Sequence, residues 1–155
     1  MKRTIRRRRL EAKTDYKARL TLLKSGKPRL VVRRTNKYII AQIVTTDIAQ
    51  DKVIKSVISK DLIAKGWPES KKGSLKSKAA AYLTGYLLGK EVKSKVPKAI
   101  FDIGMYRNLE KSRLYAVLKG ALDAGLDIPH NPNVLITDEE ISKLENKELI
   151  TKLKK

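Results

Sequence analysis

The chain has no cysteine, which excludes disulfides and thiolate metal sites and makes an intracellular protein the simple expectation. Its single histidine, His130, leaves no second imidazole for a multi-histidine metal site. It sits between Pro129 and Asn131 with no nucleophile or carboxylate partner in the sequence, so a structural or RNA-facing role is expected. Aromatics are few, with one Trp and one Phe among 155 residues. Trp67, in Gly66-Trp67-Pro68, reads as an apolar anchor for a loop rather than as a base stacker. No apolar run approaches the roughly 20 residues needed to span a bilayer. The basic N-terminus lacks the apolar segment of a signal peptide, and nothing marks a lipid anchor. No glycine loop has the spacing of a phosphate cradle, because Gly85 and Gly89 fall inside a helical pattern.

Acid is also scarce. There are 16 Asp and Glu against 36 Lys and Arg, a formal charge of +20. Self-repulsion on that scale disfavours a compact chain, so a neutralising polyanion is expected. Nucleic acid fits best, because each phosphate neutralised releases condensed counterions, and a membrane surface is the competing polyanion. The length suits one domain with a real core and room for a tail.

The organising stretch is Pro28 to Thr45, PRLVVRRTNKYIIAQIVT. Two runs rich in Val and Ile flank Asn36-Lys37, which predicts an antiparallel hairpin closed by a two-residue loop. That register pairs Thr35 with Tyr38, Arg33 with Ile40, Val31 with Gln42 and Arg29 with Val44. One face then carries Arg29, Val31, Arg33, Thr35, Tyr38, Ile40, Gln42 and Val44. The other carries Leu30, Val32, Ile39, Ala41 and Ile43, with Arg34 at its rim. The second face is core. The first mixes cations, an aromatic and an amide and suits a polyanion, the bland alternative being an ordinary half-solvated sheet.

Met1 to Leu10 holds five arginines and one lysine with no acid, and is expected to stay disordered until a partner screens it. A solubilising tail or an import signal is the alternative to an RNA-binding arm. Glu11 to Leu23 predicts a short amphipathic helix with Tyr16, Leu20 and Leu23 inward and Lys13, Lys17 and Arg19 outward. Asp15 reads as a first-turn charge or local salt-bridge partner. Ser25-Gly26-Lys27-Pro28 ends that helix. Val53 to Ser59 predicts a third antiparallel strand whose core face periodicity cannot choose. Ser77 to about Lys95 predicts a helix capped by Ser77, with Gly85 and Gly89 on one side, suited to close approach to the sheet. Ala99 to Gly104 predicts a buried strand, parallel to one of the meander because a long helix precedes it. Met105 to Ser112 reads as a polar loop. Leu114, Val117, Leu118, Ala121 and Leu122 define a further helix ending at Gly125, and Thr137-Asp138-Glu139-Glu140 opens a last one with lysines near its end. The expected class is α/β (α+β): three antiparallel strands plus one parallel strand, backed by two helices. The expected organisation is an arm over 1–12, a core domain over 13–130 and a short helical tail over 131–155.

Asp102, ending a buried strand, invites a two-metal nuclease reading with Asp47, Asp51 or Glu110 as companions. An apolar strand ending in Asp-x-Gly is more often a turn whose carboxylate accepts backbone N–H bonds. No enzyme and no cofactor is expected.

Lys13 to Val44, Gly66-Trp67, Ala80 to Lys90, Ala99 to Gly104 and Ser112 to His130 together resemble, in order, the large-subunit ribosomal protein family numbered eighteen in its archaeal form. The resemblance implies a cytoplasmic protein that binds 5S rRNA and attaches it to the large rRNA in the central protuberance, beside other large-subunit proteins. It implies RNA contacts at Arg3 and Arg6 to Arg9 in the arm. In the strand-and-turn motif it implies Arg29, Arg33, Arg34, Asn36, Lys37 and Tyr38, and at the last core helix Arg113. Lys2, Lys13, Arg19 and Lys27 join these as neighbouring cations, and Tyr38 is the candidate base or ribose stacker. The chain departs from the family at Arg107 to Lys111, where a Gly-containing turn is expected before Ser-Arg. Long C-terminal extensions of some relatives have no counterpart, so contacts through them are not implied. The rivals are a metal-dependent nuclease on a similar sheet and a membrane-surface basic adaptor.

Overall fold

The computed structural model describes residues 4–48 and 50–142. Four strands form one sheet in the order β3-β2-β1-β4, with β1 at Arg29–Arg34, β2 at Ile39–Asp47, β3 at Gln50–Ile58 and β4 at Ile100–Asp102. The first three are antiparallel neighbours and β4 runs parallel to β1, as the sequence predicts. The hairpin register is the expected one: Arg29 opposes Val44, Val31 opposes Gln42 and Arg33 opposes Ile40. Alternation then sends Leu30, Val32, Ile39, Ala41 and Ile43 into the core, all buried.

Two helices fill the space over that face, α3 at Lys78–Val92 and α4 at Arg113–Asp123. Ser77 caps α3 by accepting from the Ala80 N–H at 3.3 Å. Its glycines serve a different neighbour from the one expected. A Cβ on Gly85 would lie 2.0 Å from the Val117 carbonyl oxygen, and one on Gly120 would lie 2.1 Å from that of Tyr82. The close approach is helix on helix, α3 against α4, and each helix contributes a glycine to it. Gly120→Ala should therefore destabilise the chain by about 3 kcal/mol despite the better helix propensity of Ala, because backbone must move. A shift in the denaturant midpoint at constant slope would measure it; an unchanged midpoint would mean the helices can separate freely.

Trp67 is core, 3 % exposed, and its indole N–H donates to the Lys71 carbonyl at 3.0 Å. The strand Ile100–Asp102 is shorter and less covered than a strand buried on both faces: Ile100 and Phe101 are half-buried and only Asp102 is buried. It is an edge strand: Phe101 meets Tyr115 at 5.7 Å on the helix side, and Asp102 is buried on the other.

The N-terminal region differs from expectation in two ways. Arg7–Leu10 forms one helical turn, α1, in place of a disordered arm, with Glu11 pairing Arg7 at 2.7 Å and Lys13 at 2.8 Å. The next helix, α2 at Tyr16–Lys24, starts later than Glu11 because Asp15 is its N-cap, accepting from the Lys17 and Ala18 N–H groups. Its faces are also reversed at two positions: Leu20 is exposed and Arg19 is half-buried, drawn inward by Asp51 at 2.8 Å. The last helix, α5, occupies Asp138–Ser142, and the Thr137 hydroxyl accepts from the Glu140 N–H. The lysines expected near its end lie outside the described residues, as do Lys2 and Arg3.

Candidate nucleic-acid interface

The sheet face opposite α3 and α4 carries an ion-pair network centred on Arg29. Because β4 pairs Asp102 with Val31, the carboxylate sits beside β1 between Arg29 and Arg33, which flank Val31 on the same face. Asp102 accepts from Arg29 at 2.8 Å, from Arg33 at 3.3 Å and from the Gly104 N–H at 2.8 Å. The last of these is the Asp-x-Gly turn the sequence predicts. From the other side Arg29 donates to Asp51 at 2.7 Å and to Thr46 at 3.1 Å.

A β-bulge makes the second half of this network possible. β2 and β3 pair Ile43 with Lys55 but Val44 with Val53, so one residue of β3 is skipped. Past that point the alternation of β3 is inverted. Without the bulge Lys52 would oppose Thr46 and face Arg29; with it Asp51 does. The bulge exchanges a repulsion for an ion pair.

Arg29 is accordingly 2 % exposed and committed to two carboxylates. The register places it on the predicted face, but that face is itself covered at its base, and in the free chain the guanidinium is held inward by its two carboxylates. Val31 and Val44 are buried there too. Arg19, tied to Asp51, is likewise an internal partner rather than a free outward cation. Burial alone would raise the Asp51 carboxyl, but hydrogen bonds from Arg19, Thr46 and Arg29 outweigh it and hold the group below its usual 3.8. A carboxylate depressed by folding contributes stability above its unfolded value, lost as pH falls through the folded value. Thermal melts of the native chain should fall on acidification below about pH 4, and Asp51→Asn should shallow that limb. Identical limbs would remove Asp51 from the acid response.

The remaining cations stay accessible. Arg33 is 39 % exposed. Arg34, Asn36, Lys37 and Lys27 are exposed, and Tyr38 is half-buried against the core. In the arm, Arg6 lies over the Tyr16 ring at 4.7 Å and the Arg8 Nε donates to the Thr14 hydroxyl at 3.0 Å. Arg7, Arg9 and Lys13 are exposed. Arg113 is half-buried at the first position of α4.

Two contributors at the hairpin tip escaped the sequence reading. The Tyr106 hydroxyl accepts from the Arg34 N–H at 3.0 Å and donates to the Arg34 carbonyl at 2.6 Å, clamping the end of β1, while Arg34 covers its ring at 5.8 Å. Lys76 donates to the Asn36 carbonyl at 3.0 Å and adds a cation to the turn. An aromatic inside an otherwise polar loop was the available signal for Tyr106; nothing local marks Lys76. In the loop where a Gly-containing turn is expected, Lys111 has a φ of 52°, the left-handed conformation that favours glycine.

The described helices include none long and apolar enough to cross a membrane. The profile of the family described as "Ribosomal large subunit proteins 60S L5, and 50S L18" matches residues 2–98 and 91–131. "Large ribosomal subunit protein uL18" of Korarchaeum cryptofilum is 52 % identical over 136 residues, 87 % of this chain and 68 % of that protein. The Halobacterium salinarum protein of the same name is 50 % identical over 130 residues, 83 % of this chain and 69 % of its own length. The Methanococcus maripaludis one is 44 % identical over 149 residues, 96 % of this chain and 75 % of its own. With that match across nearly all of the core and these identities, the chain belongs to the family of ribosomal large-subunit proteins that these archaeal relatives represent.

Proposed function

We propose that this structural constituent of the large ribosomal subunit, a cytoplasmic protein and not an enzyme, binds 5S rRNA and attaches it to the large rRNA in the central protuberance. The observation that carries the reading is a division of the cations. Arg19 and Arg29 are consumed by Asp51 and Asp102, whereas the arm (Arg6 to Arg9), the turn (Arg34, Lys37, Lys76) and Arg33 remain accessible on the free protein. Cations left open to solvent, at a net +20, are what a polyanionic backbone neutralises. Phosphate contacts position the protein, and Tyr38 at the turn supplies a ring for an unpaired base or ribose. The large rRNA and neighbouring large-subunit proteins complete the proposed set of partners; neither a small-molecule substrate nor a membrane belongs to it.

A gel-shift panel at fixed salt tests it. The chain should bind 5S rRNA at least about tenfold more tightly than tRNA or generic duplex of equal length, since shape and unpaired bases add to the shared phosphate term. Equal affinity for all three would reduce the protein to a non-specific polycation.

A further inference from the structure

Between the N-terminal segment and the β1–β4 end of the sheet lies a cleft of about 580 Å³, lined from one side by Arg8, Lys13, Lys17 and Leu22 and from the other by Arg33 and Met105. Its size is that of a small-ligand site. Its two acids are already occupied: Asp15 caps α2, and Asp102 is held by Arg29, Arg33 and the Gly104 N–H. Lys17 is exposed and forms no ion pair among the described residues.

Arg33 is unusual among the accessible cations because its guanidinium is fixed. Nη1 donates to the Val32 carbonyl at 2.8 Å and to the Asp102 carbonyl at 3.1 Å, and Nη2 donates to the Asp102 carboxylate at 3.3 Å. One face packs on Gly104: a Cβ there would lie 2.9 Å from Cζ and 3.0 Å from each Nη, nearly equidistant, as only an atom over the plane can be. Gly104 has φ +64° as well, so both its conformation and its contact call for glycine. A guanidinium with three donors spent internally is poorly placed to fork a phosphate. Its unpacked side is a flat, charged platform turned to the cleft, and such planes stack on bases.

We propose that the cleft receives one unpaired nucleotide of the bound RNA, its base stacked on Arg33 and its phosphate held by Lys17 with Lys13 or Arg8. This rests on the RNA-binding reading and assigns a site within it. The absence of cysteine allows a clean probe. Thr21, exposed at the wall of the cleft, is changed to Cys in the full chain and tethered to iron-EDTA, and the complex with 5S rRNA is allowed to cleave. Cleavage should concentrate on one unpaired segment. Replacing each nucleotide there in turn by an abasic one should single out a position whose loss weakens native binding about tenfold. Arg33→Lys keeps the charge, loses the plane, and should bind as weakly as the native chain binds that abasic RNA. It should lose little more on that RNA, because the two changes remove one contact. Cleavage spread along duplex, abasic RNAs that all bind normally, or losses that simply add would overturn the assignment while leaving specific 5S rRNA binding intact. Failure to bind 5S rRNA at all would remove the proposed function and this site together.

Discussion

Asp102→Ala is expected to lower the melting temperature more than any exposed substitution, by roughly 6 to 20 °C. Asp102 joins β4 to β1 through Arg29 and holds the turn that follows through the Gly104 N–H. Removing it leaves a guanidinium that is 2 % exposed with one carboxylate in place of two. Breaking a buried pair from one side costs about 3 to 5 kcal/mol, because the remaining charge stays desolvated. In a domain of this size each kcal/mol moves the melt by about 2 to 4 °C. Asp102→Asn should fall in between, since an amide oxygen can still accept from Gly104 but the charge is gone. Pairing the change with Arg29→Met should recover part of the loss, as the orphaned charge leaves with its partner. A melt for Asp102→Ala within about 2 °C of native would show the network to be ornamental. The same geometry bears on the nuclease rival. Both Asp102 oxygens are engaged by arginines and a backbone N–H, so none is directed at a metal ion. Purified protein with magnesium should leave 5S rRNA intact.

The hairpin was legible because its pattern is local: a period of two, β-branched residues and a turn pair fix one register, and the burial of Leu30, Val32, Ile39, Ala41 and Ile43 follows. The parallel β4 was legible from a helix too long for a hairpin connection. What could not be read were relations between distant elements. Whether a glycine faces a sheet or a helix depends on crossing geometry, so the role of Gly85 was visible but not its partner Gly120. The burial of Arg29 was not legible because it depends on a bulge at Ile54 of another strand and on a strand beyond residue 99. One warning was in the sequence, since an acid in an apolar strand needs a cation, and Arg29 and Arg33 were the cations on the neighbouring strand. Lys111 shows another limit: nothing in its side chain marks the left-handed conformation it adopts.

Deleting Met1 to Arg9 is expected to have the largest effect on binding and almost none on folding. The deleted piece carries six of the chain's 36 basic side chains. Its described part, through the turn at Arg7–Leu10, buries no residue, so the core that α3, α4 and the sheet enclose should melt within about 2 °C of native. Binding should respond in the salt dependence before all else. Each phosphate contact contributes about 0.7 to 0.9 to the slope of log affinity against log salt, so losing three to six contacts should flatten it by about 2 to 5. The affinity gap between native and truncated chains should then close as salt rises. A second variant separates charge from geometry. With Arg6 to Arg9 all changed to Lys, the slope should hold, since the charge is unchanged, while affinity falls wherever a guanidinium forks a phosphate and an ammonium cannot. Titrations of 5S rRNA at several salt concentrations measure both. A truncated chain with the native slope would mean that the arm touches no phosphate of this RNA, and the cations at the hairpin turn would have to carry the interaction alone.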